Sequence, residues 1–175
     1  GWQPLWSRGD QDGGGMVSGS LGAFLVLESR KHASERGARI YARIDAIEGD
    51  RGSRDEGKME KRMERLLAPA KDGAATVIFS GASGYDGVTA REKDILEKAL
   101  PNAVIRGFGG ITGHGLEAQF PLGLALAALT LESGAKVPVF DAAEEKPMGE
   151  AASEAVVTTV GHVRGEGVAV LSRDV

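Results

Sequence analysis

The 175-residue chain has no cysteine, which excludes disulfides, thiolate-bound metal and a cysteine nucleophile from this stretch of polypeptide. Any thiol its chemistry needs comes from elsewhere. It also lacks an excess of positive charge: 21 Lys and Arg are scattered among 25 Asp and Glu, for a net charge of −4. No basic stripe is available to neutralise phosphates, so nucleic acid is not an expected partner. Long hydrophobic runs are missing too. The longest uncharged apolar stretch, Phe120 to Leu131, is too short to span a bilayer and reads as a buried helix. The opening Gly1-Trp2-Gln3-Pro4 has neither an initiator methionine nor the charged and apolar regions of a signal peptide. That leads us to expect either a piece of a longer cytoplasmic protein or a trimmed terminus.

What is abundant is glycine, 26 residues in all. Residues 1–20, with Gly9, Gly13, Gly14, Gly15 and Gly19, read as an opening loop. Residues 21–175 read as a single domain, long enough to bury roughly 70% of its unfolded surface. Within it, Gly22 to Leu27 suits a buried strand and Glu28 to Arg36 a short polar helix. Ala38 to Ile47 alternates Ile40, Ala42 and Ile44 with polar residues, as a half-exposed strand does. Lys58 to Leu67 places Met59, Met63, Leu66 and Leu67 at helical spacing.

Two strand–loop–helix units follow. In the first, Thr76 to Phe79 leads through Ser80-Gly81-Ala82-Ser83-Gly84 into a helix over Thr89 to Leu100. In the second, Ala103 to Ile105 leads through a glycine loop, Gly107 to Gly113, into an apolar helix from His114 to Ser133. Such units imply parallel strands whose functional loops share one edge of the sheet. Strand-like runs over Ala155 to Val160 and Gly167 to Leu171 flank a third loop, Gly161-His162-Val163-Arg164-Gly165-Glu166. Of these loops, Gly113-His114-Gly115 carries the sharpest chemical signal. A fixed imidazole N–H beside a helix start suits stabilisation of an enolate or tetrahedral oxyanion. The alternative is a buried or capping histidine.

Taken in order and spacing, these segments resemble the C-terminal half of β-ketoacyl-acyl-carrier-protein synthases, the condensing enzymes of the thiolase-like fold. The opening Val17-Ser18-Gly19-Ser20-Leu21-Gly22-Ala23-Phe24-Leu25-Val26-Leu27-Glu28-Ser29 is similar to the family's glycine-rich start and first strand. Arg36-Gly37-Ala38-Arg39-Ile40-Tyr41-Ala42 resembles its "RGAxIYA" segment. The resemblance implies an α/β fold with a mixed, mostly parallel five-stranded sheet and helices on both faces. It also implies that residues 21–175 are one half of a longer two-half protein.

The family's second oxyanion histidine lies in a "KSxxGHxxGA" segment. Here that segment reads Gly109-Gly110-Ile111-Thr112-Gly113-His114-Gly115-Leu116-Glu117-Ala118, so the resemblance makes His114 the catalytic candidate and puts Gly109 at the lysine position. The first histidine belongs to "AHGTGT". Its counterpart, Ser80-Gly81-Ala82-Ser83-Gly84-Tyr85 followed by Glu92, places Gly81 at the histidine. Ser83 falls at a pantetheine-contacting threonine, with Tyr85 a weaker carry-over as a substrate contact. The terminal "NSFGFGG" becomes Thr158-Thr159-Val160-Gly161-His162-Val163-Arg164, so His162 stands at the aromatic gate. There it lines a pocket, donates to a substrate oxygen or caps a turn.

The resemblance implies decarboxylative Claisen condensation of acyl and malonyl thioesters in fatty-acid or polyketide assembly, with the nucleophile supplied by the N-terminal half. Losing one oxyanion donor costs on the order of a hundred- to a thousand-fold in rate. The alternative is therefore a non-catalytic partner subunit like a chain-length factor, which shapes an acyl tunnel beside an active synthase. A thiolase acting on coenzyme A carries a second cysteine in a C-terminal glycine loop, which this sequence lacks. No metal and no permanently bound cofactor are expected, only the phosphopantetheine arm of acyl carrier protein as substrate carrier. The expected partners are that carrier protein and the chain's own N-terminal half or a partner synthase subunit, in a homo- or heterodimer. The helix from Leu116 to Leu131 is apolar on more than one face, so in a half molecule it is expected to leave an apolar face uncovered.

Overall fold

The computed structural model describes residues 4–8, 15–85 and 87–174. Much of the anticipated glycine-rich opening loop, including Gly9, Gly13 and Gly14, lies outside the described residues, as do Gly1 to Gln3 of the atypical start. The elements run α1 (Arg30–Glu35), β1 (Arg43–Asp50), α2 (Lys58–Leu67), β2 (Thr76–Ser80), α3 (Val88–Ala99), β3 (Val104–Gly107), α4 (Gly109–Thr112), α5 (Gln119–Ser133), β4 (Glu154–Val160) and β5 (Glu166–Ser172).

The five strands form one sheet in the order β1-β5-β4-β2-β3. Strand β2 pairs in parallel with both β3 and β4. Strand β5 runs antiparallel to β4 and to β1. The sheet is mixed, as expected, with its four pairings divided evenly between the two senses. The antiparallel half arises because β4 and β5 are joined by a short hairpin, which cannot connect parallel neighbours.

The core follows from side-chain alternation along the central strands. Val77 and Phe79 of β2, Ala155 and Val157 of β4 and Ala169 and Leu171 of β5 pack with Leu124, Ala127 and Leu131 of α5. The intervening Ile78, Val156, Val168 and Val170 pack with Met59, Met63, Leu66 and Leu67 of α2 and with Ile95 and Leu96 of α3. Helices therefore cover both faces, and the methionine-leucine stripe of α2 is a packing face. Every residue of β2 is buried, as a strand enclosed on both sides requires.

Beyond the central strands, four expectations change. Gly22 to Leu27 forms no strand: Phe24 is 98% exposed and Val26 82% exposed. This segment has no strand partner, so hydrophobicity alone does not make it regular. The half-exposed strand is displaced to Arg43–Asp50, where its pairing with β5 fixes it and a register irregularity falls between Ile44 and Ala46. The glycine loop Gly107 to Gly113 contains the short helix α4. The long apolar helix begins at Gln119 rather than His114, after a 3₁₀ turn over Leu116–Ala118. That turn opens on Leu116 at φ 50°, a left-handed conformation unfavourable for a branched side chain.

Strand β3 lies at the sheet edge, and charge covers it. The buried guanidinium of Arg106 donates to the Val137 carbonyl at 3.0 Å and to that of Lys146 at 3.0 Å. The buried Glu145 carboxylate accepts from the Gly107 amide at 2.8 Å, the Phe140 amide at 2.8 Å and the Trp6 indole at 3.2 Å. These bonds tie residues 137–146 and Trp6 over an edge that would otherwise expose unpaired backbone.

Candidate active site at the common strand edge

Because β2, β3 and β4 are mutually parallel across the sheet, the segments leaving their C-terminal ends emerge on the same side. From β2 comes Gly81 to Tyr85, from β3 the α4 segment leading to His114, and from β4 the hairpin bearing His162. Topology thus gathers residues 83, 85, 114 and 162 from three separate loops.

His114 is 8% exposed, and its backbone is anchored by the opening segment. Its amide donates to the Val17 carbonyl at 2.7 Å, and its carbonyl accepts from the Gly19 amide at 2.9 Å. The ring lies 5.6 Å, centroid to centroid, from that of His162, tilted by 44°. Burial holds the His114 pKa below the ordinary histidine value, and the neighbouring His162 adds to the depression. The ring is thereby biased to the neutral form, in which one nitrogen donates and the other accepts. Its Nδ1 is buried without a partner.

His162 is fixed on two sides. Its Nε2 lies 2.9 Å from the Ser83 hydroxyl, and its ring stacks on Tyr85 with centroids 4.9 Å apart and planes 27° from parallel. Ser83 is buried, and its Oγ also accepts from the Tyr85 amide at 3.2 Å. Tyr85 is 47% exposed and so forms a rim. Of the two arrangements open to the Ser83–His162 bond, donation by the hydroxyl leaves the imidazole proton on Nδ1, and acceptance leaves it on Nε2. Among the described residues no cluster of three or more His, Asp or Glu could hold a metal ion.

Glu92, on α3, is wholly buried beneath this edge. Its Oε1 accepts from the Thr158 hydroxyl at 2.6 Å and the Ser80 hydroxyl at 2.9 Å, joining α3, β4 and β2. Desolvation raises its pKa, and the two hydroxyls offset part of that rise.

Gln119 gave no signal in the sequence. It is fully buried at the start of α5, its Oε1 accepting from the Gly115 amide at 2.8 Å while its Nε2 has no partner. A Cβ placed on Gly81 would lie 3.3 Å from Gln119 Cγ, and one placed on Gly109 would lie 3.5 Å from Gln119 Nε2. The glutamine therefore packs against both glycines. The same Cβ atoms would meet the Thr158 carbonyl oxygen at 2.8 Å and the Ala82 carbonyl oxygen at 2.7 Å. Residue order could not expose this, since a lone glutamine after an alanine carries no spacing pattern.

The loop carrying His162 is braced from outside. Glu166, whose side chain is wholly buried, pairs with Arg54 and with Arg62, the latter at 2.8 Å. Arg54 also donates to the Gly161 carbonyl at 2.6 Å. Arg54 and Arg62, from the segment between β1 and β2, thus hold the hairpin in place.

No protein-family model matches the chain. Over 154 residues it is 31% identical to the oxytetracycline polyketide β-ketoacyl synthase 1 of Streptomyces rimosus, covering 79% of this chain and 36% of that protein. The chain therefore spans little more than a third of that relative. Among solved structures, the ishigamide ketosynthase/chain length factor superposes with a TM-score of 0.76 over 91% of this chain and 45% of its own, at 19% identity. An oxazolomycin ketosynthase domain of Streptomyces albus gives 0.65 over 82% of this chain and 48% of its own, at 21% identity. The ketosynthase complex of a type II polyketide acyl-carrier protein, bound to a hexaketide, gives 0.65 over 84% of this chain and 37% of its own, at 16% identity. The shared fold is thiolase-like.

Proposed function

We propose that this chain, a homologue of the β-ketoacyl synthases, is the C-terminal half of a condensing protein of polyketide or fatty-acid assembly that decarboxylates malonyl thioesters. The supporting observation is the placement of His114, a largely buried imidazole beside Ser83 and His162 where three parallel strands end. A neutral imidazole N–H at such a site stabilises charge developing on the thioester oxygen without reorganisation. Ser83, Tyr85 and His162 then contact the phosphopantetheine arm of an acyl carrier protein. The nucleophile belongs to the other half.

That other half, on the same polypeptide or on a partner subunit, covers the apolar face left beside α5. Here Leu124, Ala125, Ala128 and Leu129 line a groove of about 900 Å³ together with Phe24 and Val26. Burying a face of this kind drives association, and we read the assembly as a dimer. No helix among the described residues is long and apolar enough to cross a membrane, and we place the protein in the cytoplasm.

The test is conversion of malonyl-carrier protein to acetyl-carrier protein by the full-length protein. Loss of that conversion in His114→Ala supports the reading, whereas an unchanged rate removes His114 from the chemistry.

A second reading, a non-catalytic subunit like a chain-length factor, is favoured by Gly81 and Gly109. Neither position has room for the side chain found in the family motif, because a Cβ at either glycine would stand within 2.8 Å of a backbone oxygen. The residue at the nucleophile position of the other half separates the readings: cysteine fits the enzyme, and any other residue fits the scaffold.

A further inference from the structure

We propose that His162 is a catalytic residue, the second oxyanion donor, taking over from the histidine that the family motif places at Gly81. This rests on the decarboxylating reading above. Position 81 itself is closed to a donor, since its Cβ would press on the Thr158 carbonyl oxygen at 2.8 Å. That oxygen accepts from the Gly81 amide at 2.9 Å, continuing the β2–β4 ladder. It cannot withdraw without breaking the central pairing of the sheet.

The same pairing supplies the alternative. Ser80 is opposite Thr158 in the parallel register, so the segment leaving β4 flanks the one leaving β2. His162 thereby reaches Ser83, two residues beyond Gly81 on the same loop. Its ring centroid is 5.6 Å from that of His114. Two ring N–H groups each about 2.9 Å from one shared oxygen fit this separation.

Orientation is built in. Tyr85 stacks on one face of the ring, and Ser83 fixes Nε2. The Ser83 oxygen already accepts from the Tyr85 amide, so its hydroxyl hydrogen is free to be donated to Nε2. The imidazole proton then sits on Nδ1 and is available to a ligand. Gln119 is the competing donor, but its free Nε2 is sealed from solvent.

In the reaction, the bond between the malonyl carboxylate carbon and the methylene carbon breaks. Its electron pair forms the enolate, whose negative thioester oxygen accepts from His114 and His162 while carbon dioxide leaves. Without an acyl acceptor the enolate carbon takes a proton from water, giving the acetyl thioester.

Decarboxylation of malonyl-carrier protein by the full-length protein tests this, using His162→Phe, which keeps a ring and removes the donor, and His162→Gln, which keeps a donor. His162→Phe should lower kcat by on the order of 100-fold or more with little change in KM, while His162→Gln should retain at least about a tenth of the wild-type rate. The His114 ring, followed by NMR, should titrate at higher pH in His162→Phe, which reports that the two rings are neighbours in solution, while the split between kcat and KM reports the donor role. If His162→Phe decarboxylates at the wild-type rate while His114→Ala does not, the inference falls and the proposed function stands. If the wild-type protein does not decarboxylate at all, both fall. Should His162→Phe unfold, His162→Ala takes its place, and a folded His162→Ala protein that decarboxylates at the wild-type rate overturns the donor role.

Discussion

Ser83 Oγ and His162 Nε2 lie 2.9 Å apart, so a single hydrogen bond joins loops from two parallel strands beside the buried His114. Removing the hydroxyl with Ser83→Ala leaves Tyr85 as the ring's remaining support. The expected result is a fall in malonyl decarboxylation on the order of 10- to 100-fold, as misorientation of a reacting group produces. Stability should drop by about 1 kcal/mol, the net worth of one such bond. Steady-state kinetics and urea unfolding measure the two effects separately.

The depressed His114 pKa gives stability a defined pH dependence. In the folded protein burial, aided by His162, disfavours the protonated ring; the unfolded chain protonates near the ordinary value of about 6.5. The stabilising contribution is therefore present above that pH. It is lost as pH falls through the interval down to the depressed folded value. His114→Asn should flatten this part of the profile, as read from unfolding free energies between neutral and mildly acidic pH.

Glu92 behaves in the opposite sense. Desolvation raises its folded pKa above the unfolded value, so its contribution is full below the ordinary carboxylate range. It declines as pH rises toward the raised folded value. Glu92→Gln retains an oxygen to accept from Ser80 and Thr158 and carries no charge. This variant should be more stable than wild type at neutral and alkaline pH, with the difference vanishing in acid; thermal melts across pH would show otherwise if Glu92 were already well solvated.

Close approach at Gly81 makes even a methyl group costly. Gly81→Ala should destabilise the protein by about 1–3 kcal/mol through overpacking against Thr158 and Gln119. Gly81→His should fail to raise decarboxylation despite restoring the residue type of the family motif. A folded, more active Gly81→His protein would show that the loop yields more readily than its packing indicates.

The brace on the His162 hairpin offers another separation of stability from chemistry. Glu166→Ala leaves Arg54 and Arg62 around a space without a carboxylate. The expected loss is roughly 3 kcal/mol, toward the low end for breaking a buried pair because both arginines retain some solvent contact. Arg62→Lys should cost less, since it keeps the charge while losing the fork geometry and the bond to the Ser53 carbonyl. Denaturant midpoints compare the two.

Much of the fold could be read from residue order. Met59, Met63, Leu66 and Leu67 repeat at helical spacing and form the buried stripe of α2. The β-branched runs near 76–79 and 155–160 fall in β2 and β4. Hydrophobicity misled at Gly22 to Leu27, where apolar side chains line a groove rather than a strand interface. In the site, Gly-His-Gly spacing drew attention to His114, but nothing in the local sequence around Gln119 indicated that its amide would pack against both Gly81 and Gly109.

Residue order alone dictated the central strands β2, β4 and β5 and the helices α2 and α3, because side-chain periodicity is a local property of each segment. It also carried the family likeness, the absent thiol and the two glycines standing where the motifs have histidine and lysine. Folding in three dimensions was needed to bring His162, 48 residues beyond His114 in the chain, to a ring-centroid distance of 5.6 Å from it. That proximity depends on parallel pairing among β2, β3 and β4, and strand pairing is a contact between distant parts of the chain that no local pattern encodes.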